Sequence, residues 1–146
     1  MSGTTTLAEV MARHPGAETF TFGDSRALCD DLLARVRSGA KTATCGALRD
    51  YGPDGEAMPV VGRRDIALDW DGAPALVIET VDVTMRRYSD VDAAFALAEG
   101  ENDDLQDWRD DHRRFFERNG GWSDDMELVC ERFRLIEDIG ACSIGS

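Results

Sequence analysis

The sequence has few of the features that place a protein in a membrane, in an oxidising compartment or around a metal. None of its apolar runs approaches the roughly 20 residues of a membrane-spanning helix, and its first residues lack the basic and apolar regions of a secretory signal. We therefore expect a cytoplasmic protein with no membrane contact and with reduced cysteines. The 4 cysteines form no C-x-x-C pair and there are only 2 histidines, so the paired ligand spacings of structural zinc sites are missing. We expect no metal and no cofactor.

Basic residues are scarce, and lysine is nearly absent. The chain has 16 lysines and arginines against 29 acidic residues, a formal net charge of -13. Because nucleic-acid binding draws much of its affinity from basic side chains at phosphates, this balance disfavours a protein that coats RNA or DNA and favours a small, weakly charged ligand. It does not exclude an arginine-lined cleft. Lys41 is the single lysine. Unlike arginine, a lysine can serve a site that needs a neutral amine. The presence of one lysine in a chain that otherwise uses arginine is explained equally well by chance.

The length of 146 residues is that of one domain, with a core from about residue 20 to 138 and a mobile tail after it. Hydrophobic periodicity and turn residues predict an α+β fold. Helices are predicted from Leu7, over 24–39, from Ser89 or Asp90, and over 103–118; strands are predicted over 65–70, 75–84 and 128–136. The strands on either side of Asp71-Gly72 are predicted to form a hairpin.

Three common catalytic motifs are absent: the G-x-G-x-x-G dinucleotide turn, the G-x-x-x-x-G-K-[ST] phosphate loop and the G-x-S-x-G nucleophile elbow. The first of two remaining groups of candidate catalytic residues is K-T-A-T-C at residues 41–45, just after a predicted helix end. A lysine base beside a hydroxyl is one solution to nucleophilic catalysis. Thr42 and Thr44 would share one face of a strand, where threonine is also common for its β-propensity alone.

The second constellation is the segment E-G-E-N at residues 99–102, between two predicted helices. A carboxylate there is a candidate acid or base, although carboxylates before a helix also stabilise its dipole. Cys45 is a further candidate nucleophile, but the sequence shows no histidine near it to activate the thiol. His112 falls on one helical stripe with Trp108 and Phe115, which is more typical of a satisfied, partly buried histidine than of a catalytic one.

Several sequence blocks occur in one order along most of the chain. They are F-G-D-S at 22–25, S-G-A-K-T-A-T-C at 38–45, P-V-V-G at 59–62, A-E-G-E at 98–101, Trp108, H-R-R-F-F at 112–116 and V-C-E-R-F at 129–133. Together they resemble the ASCH domain family, and in particular its longer subgroup. The resemblance implies a PUA-like fold, a small β-barrel flanked by helices and related to RNA-binding domains, with the whole chain, 1–146, as a single ASCH domain.

Some ASCH proteins that resemble this chain remove the acetyl group from N4-acetylcytidine with a lysine, a threonine and a glutamate. The matching positions here are Lys41, Thr44 and Glu101, with Glu99 as the alternative carboxylate if the alignment slips by two residues. The resemblance thus implies a metal-independent amidohydrolase acting on an acylated cytidine nucleoside. In it, a neutral Lys41 accepts the proton of Thr44, whose oxygen attacks the acyl carbonyl.

Residues around these positions are candidates for holding the substrate. The candidate substrate-binding residues are Thr42, Cys45, Tyr51, Glu99 and Trp122. The backbone N–H groups near Cys45 and Gly46 are candidate oxyanion donors, and Tyr51 or Trp122 would stack on the base, by aromatic character alone.

The family resemblance leaves two alternatives open. Longer ASCH members have been described as ribonucleases, in which Lys41 would act as a cation at the phosphate, helped by the arginine pair 86–87 or 113–114. The family is also proposed to include RNA-binding modules, which need a basic, aromatic-lined surface. The expected partner is therefore a nucleoside or an RNA-derived small molecule, with RNA itself as the alternative.

Overall fold

A computed structural model of the chain describes residues 5–139. Its helices are α1 (Leu7–Arg13), α2 (Arg26–Ser38), α3 (Ala93–Ala98) and α4 (Leu105–Arg118), with short 3-10 helices at Leu48–Asp50 and Tyr88–Asp90. Its strands are β1 (Glu18–Thr21), β2 (Ala43–Ala47), β3 (Arg64–Leu68), β4 (Pro74–Arg87) and β5 (Glu127–Asp138). The tail predicted to be mobile lies outside the described residues from position 140 onward.

The five strands form one mixed sheet in the order β1-β3-β4-β5-β2. Only the β1–β3 pair is parallel among these strands. The long β4–β5 ladder runs from Leu76 opposite Asp138 to Arg87 opposite Glu127, and its register shifts twice. Such bulges bend strands and increase their twist, and the sheet accordingly curves into a half-barrel with β1 and β2 at its two edges. The predicted α+β fold, a small barrel flanked by helices, is confirmed.

Local signals determine most helix ends. Thr6 and Glu9 form the expected capping box at the start of α1. Ser25 caps α2, whose end is Gly39 in the left-handed conformation. The prediction for α3 is wrong by a few residues: Asp92 is its N-cap and accepts the N–H of Phe95, while positions 89 and 90 belong to the preceding 3-10 helix.

Three clusters of buried apolar residues form the core, and two of them border the site. The first packs α2 against the sheet, with Leu32, Val36, Leu76 and Phe133 among its buried members. The second packs α3 and α4 against β2 and β5 around the fully buried Trp108. No helix within residues 5–139 is both long and apolar enough to span a membrane.

A buried lysine between two carboxylates: the candidate active site

A cavity of about 570 Å³ opens between the two apolar clusters. Six of the residues singled out from the sequence line it: Lys41, Thr44, Cys45, Tyr51, Glu99 and Glu101. Its volume lies within the range typical of small-molecule sites. The structure therefore brings the lysine motif and the acidic segment, distant in sequence, into one cavity.

Lys41 reaches the cavity because the chain turns sharply after α2. The Lys41 N–H donates to the carbonyl of Arg35 (3.0 Å), and the Thr42 N–H donates to the carbonyl of Ala98 (2.8 Å). The first bond holds the turn against the end of α2, and the second ties the residues just before β2 to the end of α3. The side chain of Lys41, only 1% exposed, folds back so that Nζ donates to the carbonyl of Ala43 (2.8 Å). Since that carbonyl is bonded to the nitrogen of Thr44, the amine lies beside the backbone of the threonine.

Two carboxylates flank this amine. Lys41 Nζ donates to Glu101 Oε2 at 2.6 Å and to Glu99 Oε1 at 3.2 Å. Gly100 makes the arrangement possible, because its φ is +73° and a Cβ there would lie 2.2 Å from the carbonyl oxygen of Ala40. The carbonyl of Gly100 also accepts a hydrogen bond from Arg35 (2.7 Å). Close backbone contact thus positions one acid on either side of the lysine.

The charge on Lys41 differs from the neutral form expected from the family resemblance. Burial by itself would lower the pKa of Lys41, but the carboxylates of Glu99 and Glu101 outweigh it and hold that pKa above its usual value. Burial would likewise raise the pKa of Glu99, but Lys41 and then His112 hold it well below its usual range. At rest, Lys41 is therefore an ammonium ion paired with the ionised carboxylate of Glu99.

Glu99 and Glu101 differ in their surroundings. The side chain of Glu99 is 1% exposed, whereas that of Glu101 is 16% exposed. The indole of Trp108 donates to Glu99 Oε2 at 2.8 Å, and His112 Nε2 lies 3.5 Å from the same oxygen. The geometry therefore makes Glu99 the anchored carboxylate and leaves Glu101 as the one more accessible to a ligand.

Thr44 and Cys45 follow on β2. Thr44 lies opposite Glu131 in the β2–β5 register, and both residues line the cavity. The expectation that no histidine lies near Cys45 is wrong, because ligand atoms of Cys45, Glu99 and His112 all lie within 4.8 Å of one another. Burial, and then the charge of Glu99, raises the pKa of the Cys45 thiol, so the thiol is protonated at rest.

A comparison with protein families connects this geometry to known proteins. The family model of the ASCH domain matches residues 18–137. The chain belongs to the ASCH domain family. The blocks that carry the resemblance in the sequence all fall within or overlap the matched residues, and they include both segments that meet at Lys41.

Two solved structures are similar to this ASCH domain. The ASCH domain from Lactobacillus crispatus JV V101 is 32% identical, with a TM-score of 0.75, over 87% of this chain and 84% of that one. Protein EF3133 from Enterococcus faecalis V583 is 30% identical, with a TM-score of 0.80, over 94% of this chain and 90% of that one. No curated protein matches the sequence significantly. Both similar structures agree with the half-barrel and its flanking helices.

The structure places two of the predicted substrate contacts of this ASCH domain outside the cavity. Thr42 is exposed and outside the cavity, with its hydroxyl donating to the carbonyl of Ala98 (3.3 Å). It precedes β2, so the alternation that would align it with Thr44 does not apply. Trp122 also lies outside the cavity, packed edge-on against Tyr88 with the guanidinium of Arg113 4.1 Å from its ring centre. Aromatic character alone did not distinguish a core indole from a base-stacking one.

Two cavity residues were missed as site candidates. His112 was assigned to a satisfied core position, and its stacking on Trp108 at 4.2 Å between ring centroids agrees with that in part. The sequence placed it on the apolar face of a helix but could not show that this face meets Glu99. Glu131 accepts a hydrogen bond from the Thr80 hydroxyl at 2.6 Å, and burial raises its pKa; only strand pairing with Thr44 could have identified it.

Proposed function

We propose that this ASCH domain is an amidohydrolase that removes the acyl group from the exocyclic nitrogen of an N4-acylated cytidine nucleoside, such as N4-acetylcytidine. The observation that carries the proposal is the hydrogen-bonded Lys41–Glu101 pair in a nucleoside-sized cavity that Thr44 also lines. These are the three residues that the family resemblance assigns to that reaction. The catalytic set proposed is therefore Lys41, Thr44 and Glu101, with Glu99 as the residue that positions Lys41.

The reaction begins with a proton transfer, because Lys41 rests as an ammonium ion. Glu101 Oε2 is 2.6 Å from Nζ, so this carboxylate takes one proton and leaves a neutral amine. The amine accepts the proton of Thr44 while the threonine oxygen attacks the acyl carbonyl. Collapse of the tetrahedral intermediate breaks the carbon–nitrogen bond, and the leaving nitrogen receives its proton from Lys41 or Glu101. Water then hydrolyses the acyl-threonine and releases the carboxylic acid.

The edge position of β2 supplies an oxyanion donor. Phe133 N–H donates to the carbonyl of Thr42, and in an antiparallel ladder hydrogen-bonded and non-hydrogen-bonded pairs alternate. The register pairs Cys45 with Cys130 as a non-hydrogen-bonded pair, so the Cys45 N–H points away from β5. This N–H is the donor proposed for the developing oxyanion, whereas the Gly46 N–H belongs to the ladder.

The charge of the cavity supports an uncharged substrate over RNA. Its acidic lining residues are Glu18, Asp50, Glu56, Asp65, Glu99, Glu101, Asp111 and Glu131, and its cationic ones are Lys41, Arg63 and Arg118. A phosphate would therefore enter a predominantly negative site, at a cost that rises as water is excluded. Within residues 5–139, no specific contact favours the ribonuclease or RNA-binding alternative.

The test is a chromatographic assay of N4-acetylcytidine turnover with matched threonine variants. Thr44→Ala should lower kcat by about a hundredfold or more, because it removes the nucleophile. Thr42→Ala is the control: it changes an exposed threonine in the same segment and should leave kcat within about twofold. Glu101→Gln should also lower kcat, by at least about a hundredfold.

Each outcome decides one part of the proposal. Absence of turnover by the wild-type protein at micromolar concentration removes the nucleoside as substrate. Turnover that survives in Thr44→Ala removes the threonine as nucleophile. Lys41→Met is assayed only together with its melting curve, because leaving buried carboxylates unpaired costs about 3–5 kcal/mol and unfolding alone would abolish activity.

A further inference from the structure

Three side chains of metal-ligating type meet at the inner wall of the cavity. Cys45 comes from β2, Glu99 from the end of α3 and His112 from α4, and one ligand atom of each lies within 4.8 Å of the others. The geometry points to a binding site for a zinc-like divalent cation at Cys45, Glu99 and His112, with its fourth position open to the cavity. The proposal is independent of the acyl hydrolysis proposed above, which uses none of these side chains as a nucleophile.

The histidine is already oriented as a metal ligand. His112 Nδ1 lies 2.9 Å from the carbonyl oxygen of Trp108, and a carbonyl oxygen can only accept, so Nδ1 carries the hydrogen. In the neutral ring the lone pair is then on Nε2, the nitrogen 3.5 Å from Glu99 Oε2. A histidine ligand whose other nitrogen donates to a backbone carbonyl is the usual arrangement in metal sites. Stacking on Trp108 fixes the plane of the ring.

The carboxylate is held in the same way. Trp108 Nε1 donates to Glu99 Oε2 at 2.8 Å, so one tryptophan orients both Glu99 and His112. Ligand atoms on one zinc ion lie roughly 3–4 Å apart. Drawing the three atoms together around an ion therefore requires shifts of only about 1 Å. All three residues line the cavity, which provides both an entry path and room for a water on the open position.

Lys41 does not exclude a second cation. Its ammonium group is hydrogen-bonded to both Glu99 and Glu101. Because His112 binds the ion as a neutral ring, these two carboxylates then face one positive charge. Binding breaks the Cys45 S–H bond and the Nε2–H bond of His112 where that nitrogen carries a proton, forms sulfur–metal and nitrogen–metal bonds, and releases the protons to solvent. The resulting thiolate and the two carboxylates then balance the ammonium and a divalent ion, and the cluster becomes neutral overall.

The ligand set determines the class of ion. Thiolate, imidazole and carboxylate together suit zinc or cobalt, whereas magnesium and calcium prefer oxygen ligands alone. Three protein ligands with one open position is the arrangement of zinc sites that accept an exchangeable water. Magnesium should therefore not compete at this site.

Cobalt(II) is the probe, because a thiolate–cobalt bond gives a charge-transfer absorption that reports on sulfur ligation directly. Titration of the reduced, purified protein should give this band at one equivalent, and zinc but not magnesium should abolish it. Cys45→Ser should eliminate the band, and His112→Gln should weaken cobalt binding at least about tenfold. Cys29→Ser is the thiol control, because Cys29 lies buried in the other apolar cluster, and it should keep the band.

The variants are compared by circular dichroism so that loss of the band is read only from folded protein. Absence of the band in the folded wild type, its persistence in Cys45→Ser, or its equal loss in Cys29→Ser would overturn the site. None of these readouts depends on acetylcytidine turnover, so the metal site and the proposed activity succeed or fail separately.

Discussion

At the residue scale, the position of the acidic groups depends on the missing side chain of Gly100. Its left-handed φ favours glycine, and a Cβ there would lie 2.2 Å from a backbone oxygen, that of Ala40. Backbone cannot rotate away as the end of a flexible side chain can. A residue with no functional group of its own therefore determines where Glu99 and Glu101 meet Lys41.

Gly100→Ala should be far more damaging than the same change at Gly39. Gly39 is also left-handed, at φ +84°, but a Cβ there meets nothing within 4 Å, so Gly39→Ala should lower the free energy of unfolding by only about 1–2 kcal/mol. Gly100→Ala adds a backbone clash, which should lower the free energy of unfolding by about 1–3 kcal/mol more. It should also lower the rate of acyl-cytidine turnover, because it displaces Glu99 and Glu101. Urea denaturation measures the free energy of unfolding of each variant. Equal losses of stability in Gly39→Ala and Gly100→Ala would contradict this account of Gly100.

Some residues of the cavity could be identified from the sequence and others could not, for a physical reason. Lys41, Thr44 and Glu101 stand in short blocks whose composition is visible in sequence, and the structure places all three in one cavity. Thr42 was assigned to the cavity because the start of β2 could not be placed to within one residue from sequence. The strand begins at Ala43, one position after Thr42. His112 was missed because its neighbour, Glu99, belongs to a different element.

At the scale of elements, α4 is connected to the start of α2 by a polar contact. Asp24, just before the N-cap of α2, accepts hydrogen bonds from Arg118 (3.1 Å) and Asn119 (2.9 Å) at the end of α4. The bond from Arg118, and then that from Asn119, lowers the pKa of Asp24 below its usual value. Since α4 carries His112 and α2 leads into Lys41, this contact links two walls of the cavity.

Asp24→Asn should lower stability at neutral pH but not in acid. Because the folded-state pKa of Asp24 is below its unfolded value of about 3.9, its stabilising contribution is fully present above that value and is lost as the pH falls through the folded pKa. The variant should therefore be less stable by about 1 kcal/mol at pH 7 and converge with the wild type once the pH falls below the folded-state pKa of Asp24. Urea denaturation across this range tests it, with exposed Asp54→Asn as control; a difference independent of pH would contradict the assignment.

At the scale of the whole molecule, the proposed preference for an uncharged ligand rests on charge. The net charge is -13, and acidic side chains outnumber cationic ones in the cavity lining. A field of one sign around a cleft lowers the local concentration of ligands of the same sign. The net charge of the protein and the charges that line the cavity thus both disfavour the binding of polyanions.

Cytidine substrates with and without a phosphate test this directly. We expect kcat/KM for N4-acetylcytidine to be about tenfold or more above that for its 5′-monophosphate at low salt. Added salt should narrow the gap by screening, while turnover of the uncharged nucleoside hardly changes. Preference for the phosphorylated substrate, or RNA binding that weakens steeply with salt, would instead favour the RNA alternative.

The sequence by itself determined the family, the α+β class and most helix ends. Caps, glycine stops and hydrophobic alternation act over a few residues, as Thr6, Ser25 and Gly39 illustrate, so they can be read along the chain. The start of α3 was placed too early because several capping residues compete within positions 89–92, and only packing chooses among them.

The tertiary structure alone decided the chemistry of the site. The pKa of Lys41 depends on its own burial and on the carboxylates of Glu99 and Glu101 beside it, and both are properties of the folded chain. The meeting of Cys45 with His112 likewise requires α4 to pack against β2. Contacts between residues far apart in sequence arise only when elements pack, so local pattern supplied the functional groups and packing determined their charges and their partners.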